Sequence, residues 1–314
     1  MRERSIDPRL FGRPPGATVA RVAVVLLGLS ACGPQAVATG EIRVSASGEA
    51  AAVGGYPTPG PDPIAFADGW SITFDDVLVS IEGMGIREGA RTLVLEDEPA
   101  IVDLHDGDAL VWTFPAIAAQ RWSAVEYVIA PPAAGTRTIG SVDPADATDM
   151  TTRALAVLIH GTATHPTHPS VGLEIAVPGS IHAEACQSAE DMTLGLVVPP
   201  SGTSEVSMVF HLDHFFFDSA VGEEPSLRFE AWAAVAGVDG VVTLDDLATQ
   251  DLTDLVGVDG MPLADEAGAL VIYEPPSTGL RMANLREYVL AQAATLPHWN
   301  GEGHCDYRYD PPGG

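Results

Sequence analysis

Asp68-Gly69-Trp70-Ser71-Ile72-Thr73-Phe74-Asp75-Asp76-Val77-Leu78-Val79-Ser80-Ile81 is the stretch that sets the fold class. Trp70, Ile72 and Phe74 alternate with polar neighbours, and Val77, Val79 and Ile81 resume the alternation after the Asp75-Asp76 pair. Successive side chains of a strand point to opposite faces, so a period of two marks a strand with one face on a core. The same period recurs at 41–47, where Ile42, Val44 and Ala46 alternate, and strands are further expected at 92–95, 100–104, 110–114, 125–129, 155–160, 171–177 and 206–210. Short strands punctuated by the chain's 32 glycines and 25 prolines predict a mainly β fold, an antiparallel β-sandwich or a barrel-like domain. Nothing alternates with long helices in the manner of βαβ units.

The pattern changes after residue 214. Segments 229–236, 244–255 and 281–294 read as helices, and the last places Met282, Leu285, Val289 and Ala293 on one face at spacings of three and four. At the other end, Pro57-Thr58-Pro59-Gly60-Pro61-Asp62-Pro63 admits neither a helix nor a central strand. The expected layout is a signal peptide over 1–31, a tether over 32–66, a β-sandwich-like domain over 67–214 and a smaller helical C-terminal part over 215–314.

Cellular address is written in the first thirty-two residues. Arg2, Arg4, Arg9, Arg13 and Arg21 precede the apolar run Val22-Ala23-Val24-Val25-Leu26-Leu27-Gly28-Leu29, and Ser30-Ala31-Cys32 follows. A membrane span needs roughly 18–20 apolar residues, about twice this run. Small residues directly before a cysteine resemble a bacterial lipobox, Leu29-Ser30-Ala31-Cys32, in which a peptidase cuts before the cysteine and a lipid is attached to its sulfur. The resemblance implies an exported protein held in the cell envelope, at the outer membrane or cell surface, with Cys32 lipidated and the membrane as its first partner.

Composition narrows the partners. The chain has a formal net charge of −28 and no lysine, so every side-chain cation other than histidine is an arginine. Nucleic acids and anionic membrane surfaces are bound chiefly through Lys and Arg, which excludes nucleic acid as a partner. An acidic chain attracts cations, and its charge equally serves solubility. No protein partner is named by any motif. Hydrophobic residues make up 46% of the chain, enough for a substantial core. With Cys32 carrying lipid, Cys186 and Cys305 remain as an even pair, which in an oxidising compartment suggests a disulfide tying the C-terminal part back to the β domain. Thiolate ligation of a metal is the other use of such a pair.

Candidate chemistry concentrates at His211-Leu212-Asp213-His214-Phe215-Phe216-Phe217-Asp218. If the chain turns helical there, His211, His214 and Asp218 share a face, and two imidazoles with a carboxylate suit zinc, copper or iron. If the strand of 206–210 continues instead, His211 and Asp213 share a face. In a purely structural arrangement, His211 ends the strand, Asp213 starts a helix and the phenylalanines are core. A second ligand-rich stretch, His298-Trp299-Asn300-Gly301-Glu302-Gly303-His304-Cys305-Asp306, offers His304 as a fourth ligand, brought near by the disulfide, and His182 lies four residues before Cys186. Asp213 and His182 are the weaker candidates. His160, His165 and His168 form a third group, whose His-Pro steps favour an exposed loop.

Gly237-Val238-Asp239-Gly240-Val241-Val242-Thr243-Leu244-Asp245-Asp246 is similar to the second half of a calcium-binding EF-hand loop. Asp239, Thr243 and Asp246 then fall on ligand positions, but Val235 and Gly237 occupy the first two and the terminal glutamate is replaced by the shorter Asp246, so calcium binding is not expected. Gly257-Val258-Asp259-Gly260 echoes the motif. No nucleophile elbow, phosphate loop, His-Glu-x-x-His helix or Cys-x-x-Cys pair occurs, and no catalytic residue is assigned.

Gly48-Glu49, the 68–74 stretch, the 211–218 stretch and Gly301-Glu302-Gly303-His304-Cys305 together resemble a group of predicted lipoproteins of myxobacteria and their relatives. The resemblance supports location and layout and carries no assigned activity. The functional expectation is a lipid-anchored envelope protein binding a transition metal through His211, His214, Asp218 and His304. The alternative is a non-catalytic surface, adhesion or structural module without metal. A metal-dependent hydrolase would need an open coordination position and a general base, for which Glu302 is the nearest candidate.

Overall fold

The strand Ser71–Glu88 is the spine of the larger of two main sheets, and its sequence explains how it serves so many neighbours. The computed structural model describes residues 37–95, 98–189, 192–222, 225–265, 267–275 and 282–313. In the first half of the strand Ile72 and Phe74 are buried while Thr73 and Asp75 are exposed, as the period of two predicts. From Val77 to Ile81 every residue is buried, because the second face is covered too. There the helix Pro144–Arg153 packs Met150 against Leu78, Ile101, Leu155 and Leu158, a small core separate from the main one. Its start was encoded in Asp143-Pro144: the Asp143 carboxylate accepts the Ala145 N–H at 2.8 Å, and proline sits at the first turn where its missing donor costs nothing. Register shifts between Phe74 and Asp76 and between Ile81 and Gly83 let Ser71–Glu88 pair with Leu155–Thr164 along its first half and with Ala124–Ile129 along its second.

From Leu155–Thr164 the larger sheet continues through Val171–Pro178 to Val241–Thr243; from Ala124–Ile129 it continues through Ser180–Glu184 to Asp306–Asp310. The smaller sheet has the order Pro297–Trp299, Thr203–Phe210, Thr39–Ser47, Ala109–Ala118. The fold is mainly β with several sheets, and among the described residues no sheet closes into a barrel. The main core draws on both large sheets: Ile42, Val44, Trp112 and Met208 from one, Ile72, Val79, Tyr127 and Ile175 from the other.

Two expectations about layout are corrected. Thr39–Ser47 lies inside the assigned tether yet is an inner strand, parallel to Thr203–Phe210 and antiparallel to Ala109–Ala118, with Ile42, Val44 and Ala46 fully buried. The helix Glu49–Gly54 follows it, and the Tyr56 ring meets Phe66, Phe74 and Phe216 edge-on. Small residues here serve close approach rather than flexibility: a Cβ on Gly40 would lie 2.3 Å from the Pro199 carbonyl oxygen. Among the described residues of that segment, the longest exposed run is 59–65. Nor does a boundary at 214/215 divide the chain. The 3-10 helix Leu212–Phe216 runs across it, and strands Pro297–Trp299 and Asp306–Asp310 complete the two large sheets.

The helical character of the C-terminal third is slight. Leu285–Ala293 is a helix capped by the Asn284 carboxamide on the Glu287 N–H, with Leu285, Val289 and Ala293 buried as expected. The helices expected at 229–236 and 244–255 shrink to the single turn Glu230–Ala233 and the 3-10 turn Asp246–Thr249. Between them the Gly237–Val241 turn interrupts any continuous helix. Cys186 and Cys305 form a disulfide across a sequence separation of 119. The expected signal peptide and the lipidation site Cys32 lie outside the described residues. Among those residues, no helix is long and apolar enough to cross a membrane.

Candidate metal centre

The end of one strand and a short neighbour bring the histidines together. His211 follows Thr203–Phe210 and donates its backbone N–H to the Leu296 carbonyl at 3.0 Å. The chain then tightens into the 3-10 helix Leu212–Phe216, which carries Asp213 and His214 while Leu212, Phe215 and Phe216 go into the core. His298 arrives on Pro297–Trp299, paired antiparallel with Thr203–Phe210 so that His298 stands opposite Val209. Ring centroids of His211 and His298 are 4.2 Å apart, those of His214 and His298 5.2 Å, and those of His211 and His214 5.7 Å. Glu302 closes the outer side, with its Oε2 3.9 Å from His211 Nε2 and its side chain 74% exposed.

Burial shapes the chemistry of these rings. His298 is 3% exposed, and neither its Nδ1 nor His211 Nε2 has a hydrogen-bond partner although both atoms are buried. An unpaired buried nitrogen costs about 1–3 kcal/mol unless something else satisfies it. For His214 the network assigns the tautomer. The Thr295 hydroxyl gives its hydrogen to the Gln292 carbonyl at 2.9 Å, so at 2.8 Å from His214 Nδ1 it accepts, and Nε2 keeps its lone pair. Burial, reinforced by the neighbouring His211 and His304, depresses the His214 imidazole to about 4. Burial and the surrounding histidines depress His298 to about 3. Burial pushes the Asp213 carboxyl up, against the pull of His211.

These depressed values fix a pH dependence for the metal-free protein. In the unfolded chain both histidines take up protons near pH 6.5, whereas in the fold they stay neutral far below it. Stability is therefore complete above pH 6.5 and declines as the pH falls toward 4, by up to about 1.4 kcal/mol per pH unit for each histidine. Urea unfolding at a series of pH values measures the slope. The His214→Asn, His298→Asn double variant should flatten it, and an unchanged slope would assign the loss to other groups.

The donor atoms fall into two sets, His211 with Asp213 and His214, and His211 with His298 and Glu302, each set having its ligand atoms within 4.8 Å of one another. Of the residues expected from sequence, His211, His214 and Asp213 meet here. His304 stops at the rim, exposed, its ring 5.2 Å from that of His298. Asp218 does not join, because the helical turn ends before it: Phe217 is extended and Asp218 Oδ2 instead takes the Arg228 guanidinium at 2.7 Å while Oδ1 takes the Ser226 N–H. His182 sits on Ser180–Glu184, 3.2 Å from Asp310, away from the cluster. Asp239 and Asp246 spend their oxygens on turns, Asp239 on the Val241 N–H and Asp246 on both the N–H and hydroxyl of Thr243. Asp259 repeats the first arrangement with the Met261 N–H.

In the third histidine group, His160 pairs with Asp76 across neighbouring strands. His165 and His168 stack on each other at 4.5 Å and lie against Trp70. The candidate donors that the sequence alone does not assign are His298 and Glu302. Both belonged to the ligand-rich stretch, but only the strand pairing of Pro297 with Phe210 shows which of its members turn toward His211.

Comparison with protein-family models, with curated proteins and with solved structures returns no match.

Proposed function

We propose that this is an exported, β-sandwich-like protein that binds a transition metal of the zinc, copper or iron group at a cluster centred on His211, which has Asp213 and His214 on one side and His298 and Glu302 on the other. The observation that carries the reading is the pair of buried imidazole nitrogens, His211 Nε2 and His298 Nδ1, that lie in one cluster of histidines without a hydrogen-bond partner. Imidazole and carboxylate donors suit these metals, and the disulfide removes both cysteine sulfurs of the described residues as thiolate ligands. The same disulfide is compatible with an oxidising, exported setting. Attachment through lipid on Cys32 rests on the Leu29-Ser30-Ala31-Cys32 sequence.

Elemental analysis of the full chain, purified without a histidine tag, tests the metal reading. Near-stoichiometric zinc, copper or iron is expected in the parent, and none in the His211→Ala, His298→Ala double variant. A parent that carries no metal and takes none up leaves the reading of a surface, adhesion or structural module in its place. Metabolic labelling with a tritiated fatty acid tests the anchor: label should enter the parent and be lost in Cys32→Ser.

A further inference from the structure

Building on the metal-binding reading above, we propose that the centre holds two metal ions that share His211. A zinc, copper or iron ion bonded at about 2.0–2.2 Å keeps its ligand atoms within about 4.4 Å of one another. The five donors divide into two sets of three that overlap only at His211. Asp213 and His214 stand on the 3-10 helix that follows His211, whereas His298 and Glu302 stand on the segment paired alongside it, so the two sets come from different parts of the chain.

An imidazole ring carries two nitrogens on opposite sides, and this is what allows one histidine to serve two ions. His211 Nε2, 3.9 Å from Glu302 Oε2, belongs with His298 and Glu302. The shared-ion arrangement assigns the other ring nitrogen, Nδ1, to the set of Asp213 and His214. Occupying both nitrogens requires the neutral ring to give up its single N–H proton to solvent; the imidazolate that remains carries one negative charge between two dications, and no electron changes hands. With Asp213 and Glu302 ionised, three negative charges face four positive ones. Each ion has three protein donors and keeps a position open for water or a small anion, as catalytic rather than closed structural sites do.

Copper(II) added to the full-length, tag-free protein and followed by exhaustive dialysis tests this. Two copper ions per chain are expected, with the electron paramagnetic resonance signal of isolated copper(II) largely lost through coupling across the shared ring. The Asp213→Asn, His214→Ala variant and the His298→Ala, Glu302→Gln variant should each hold a single copper with an uncoupled signal. Far-ultraviolet circular dichroism confirms that each variant is folded, and native mass spectrometry of the zinc-loaded parent supplies an independent ion count. One ion per chain in the parent overturns the shared pair and leaves the metal-binding reading intact. Two ions with uncoupled signals also overturn the sharing, and no ion at all removes both readings.

Discussion

Replacing Cys186 and Cys305 together by serine should lower the free energy of unfolding by about 4–5 kcal/mol. The bond closes a loop with a sequence separation of 119, and in the chain-entropy account the cost of leaving that loop open grows only logarithmically with its length. The disulfide also clamps the loop that carries Glu302 and His304. Around it, the Gln187 N–H donates to the His304 carbonyl at 2.9 Å and the Trp299 N–H to the Gly303 carbonyl at 2.8 Å. Gly303 is wedged so tightly that a Cβ there would lie 2.1 Å from the Trp299 oxygen and 2.3 Å from the Gln187 oxygen. Urea unfolding of the parent and the double serine variant measures the difference. A loss below about 1 kcal/mol would mean that these hydrogen bonds and the strand Asp306–Asp310 hold the loop without the covalent link.

Asp218→Ala should cost about 3–5 kcal/mol of stability and leave the metal content unchanged. Asp218 and Arg228 form an ion pair whose side chains are 16% and 12% exposed, with a 2.7 Å contact. Removing one partner leaves the other charge in a poorly solvated place, the costly way to break such a pair. The backbone loses an acceptor too, since Asp218 Oδ1 holds the Ser226 N–H. Chemical denaturation reads the first half of the prediction, and elemental analysis of the folded variant reads the second. A folded variant without metal would return Asp218 to the ligand set and refute the assignment of His298 and Glu302.

What could be read from the sequence followed a physical divide. Strands with one face on the core declare themselves by alternation, and Ile72, Phe74, Val171, Leu173 and Ile175 are buried where that pattern puts them. A strand buried on both faces gives no such signal: Leu78 and Leu158 pack under the helix Pro144–Arg153, which the alternation does not announce. The alternation of Ile42, Val44 and Ala46 marks a strand but not its partners, which lie far along the chain at Thr203–Phe210 and Ala109–Ala118, so a tether over 32–66 takes in a strand of the smaller sheet. At the site, His211 and His214 were legible because their ligand types cluster within four residues. Asp218 was misplaced because an i, i+7 relation presupposes an α-helix, and the chain makes only a 3-10 turn before straightening at Phe217. His298 depends on a pairing between residues nearly ninety positions apart, and no local pattern encodes such a contact.

That distant pairing has a consequence for the order in which the protein is assembled. Residues 297–310 supply an edge strand to each large sheet, Pro297–Trp299 to one and Asp306–Asp310 to the other, and His298 and Glu302 fall between or upon them. A chain emerging from the ribosome or a translocation channel therefore presents His211 and His214 long before their counterparts exist. Sheets joined by such remote contacts form slowly, because loop-closure entropy is spent before the contacts repay it. On the metal-binding reading proposed above, loading would be a closing event, open only to a chain whose last strands have joined the two sheets.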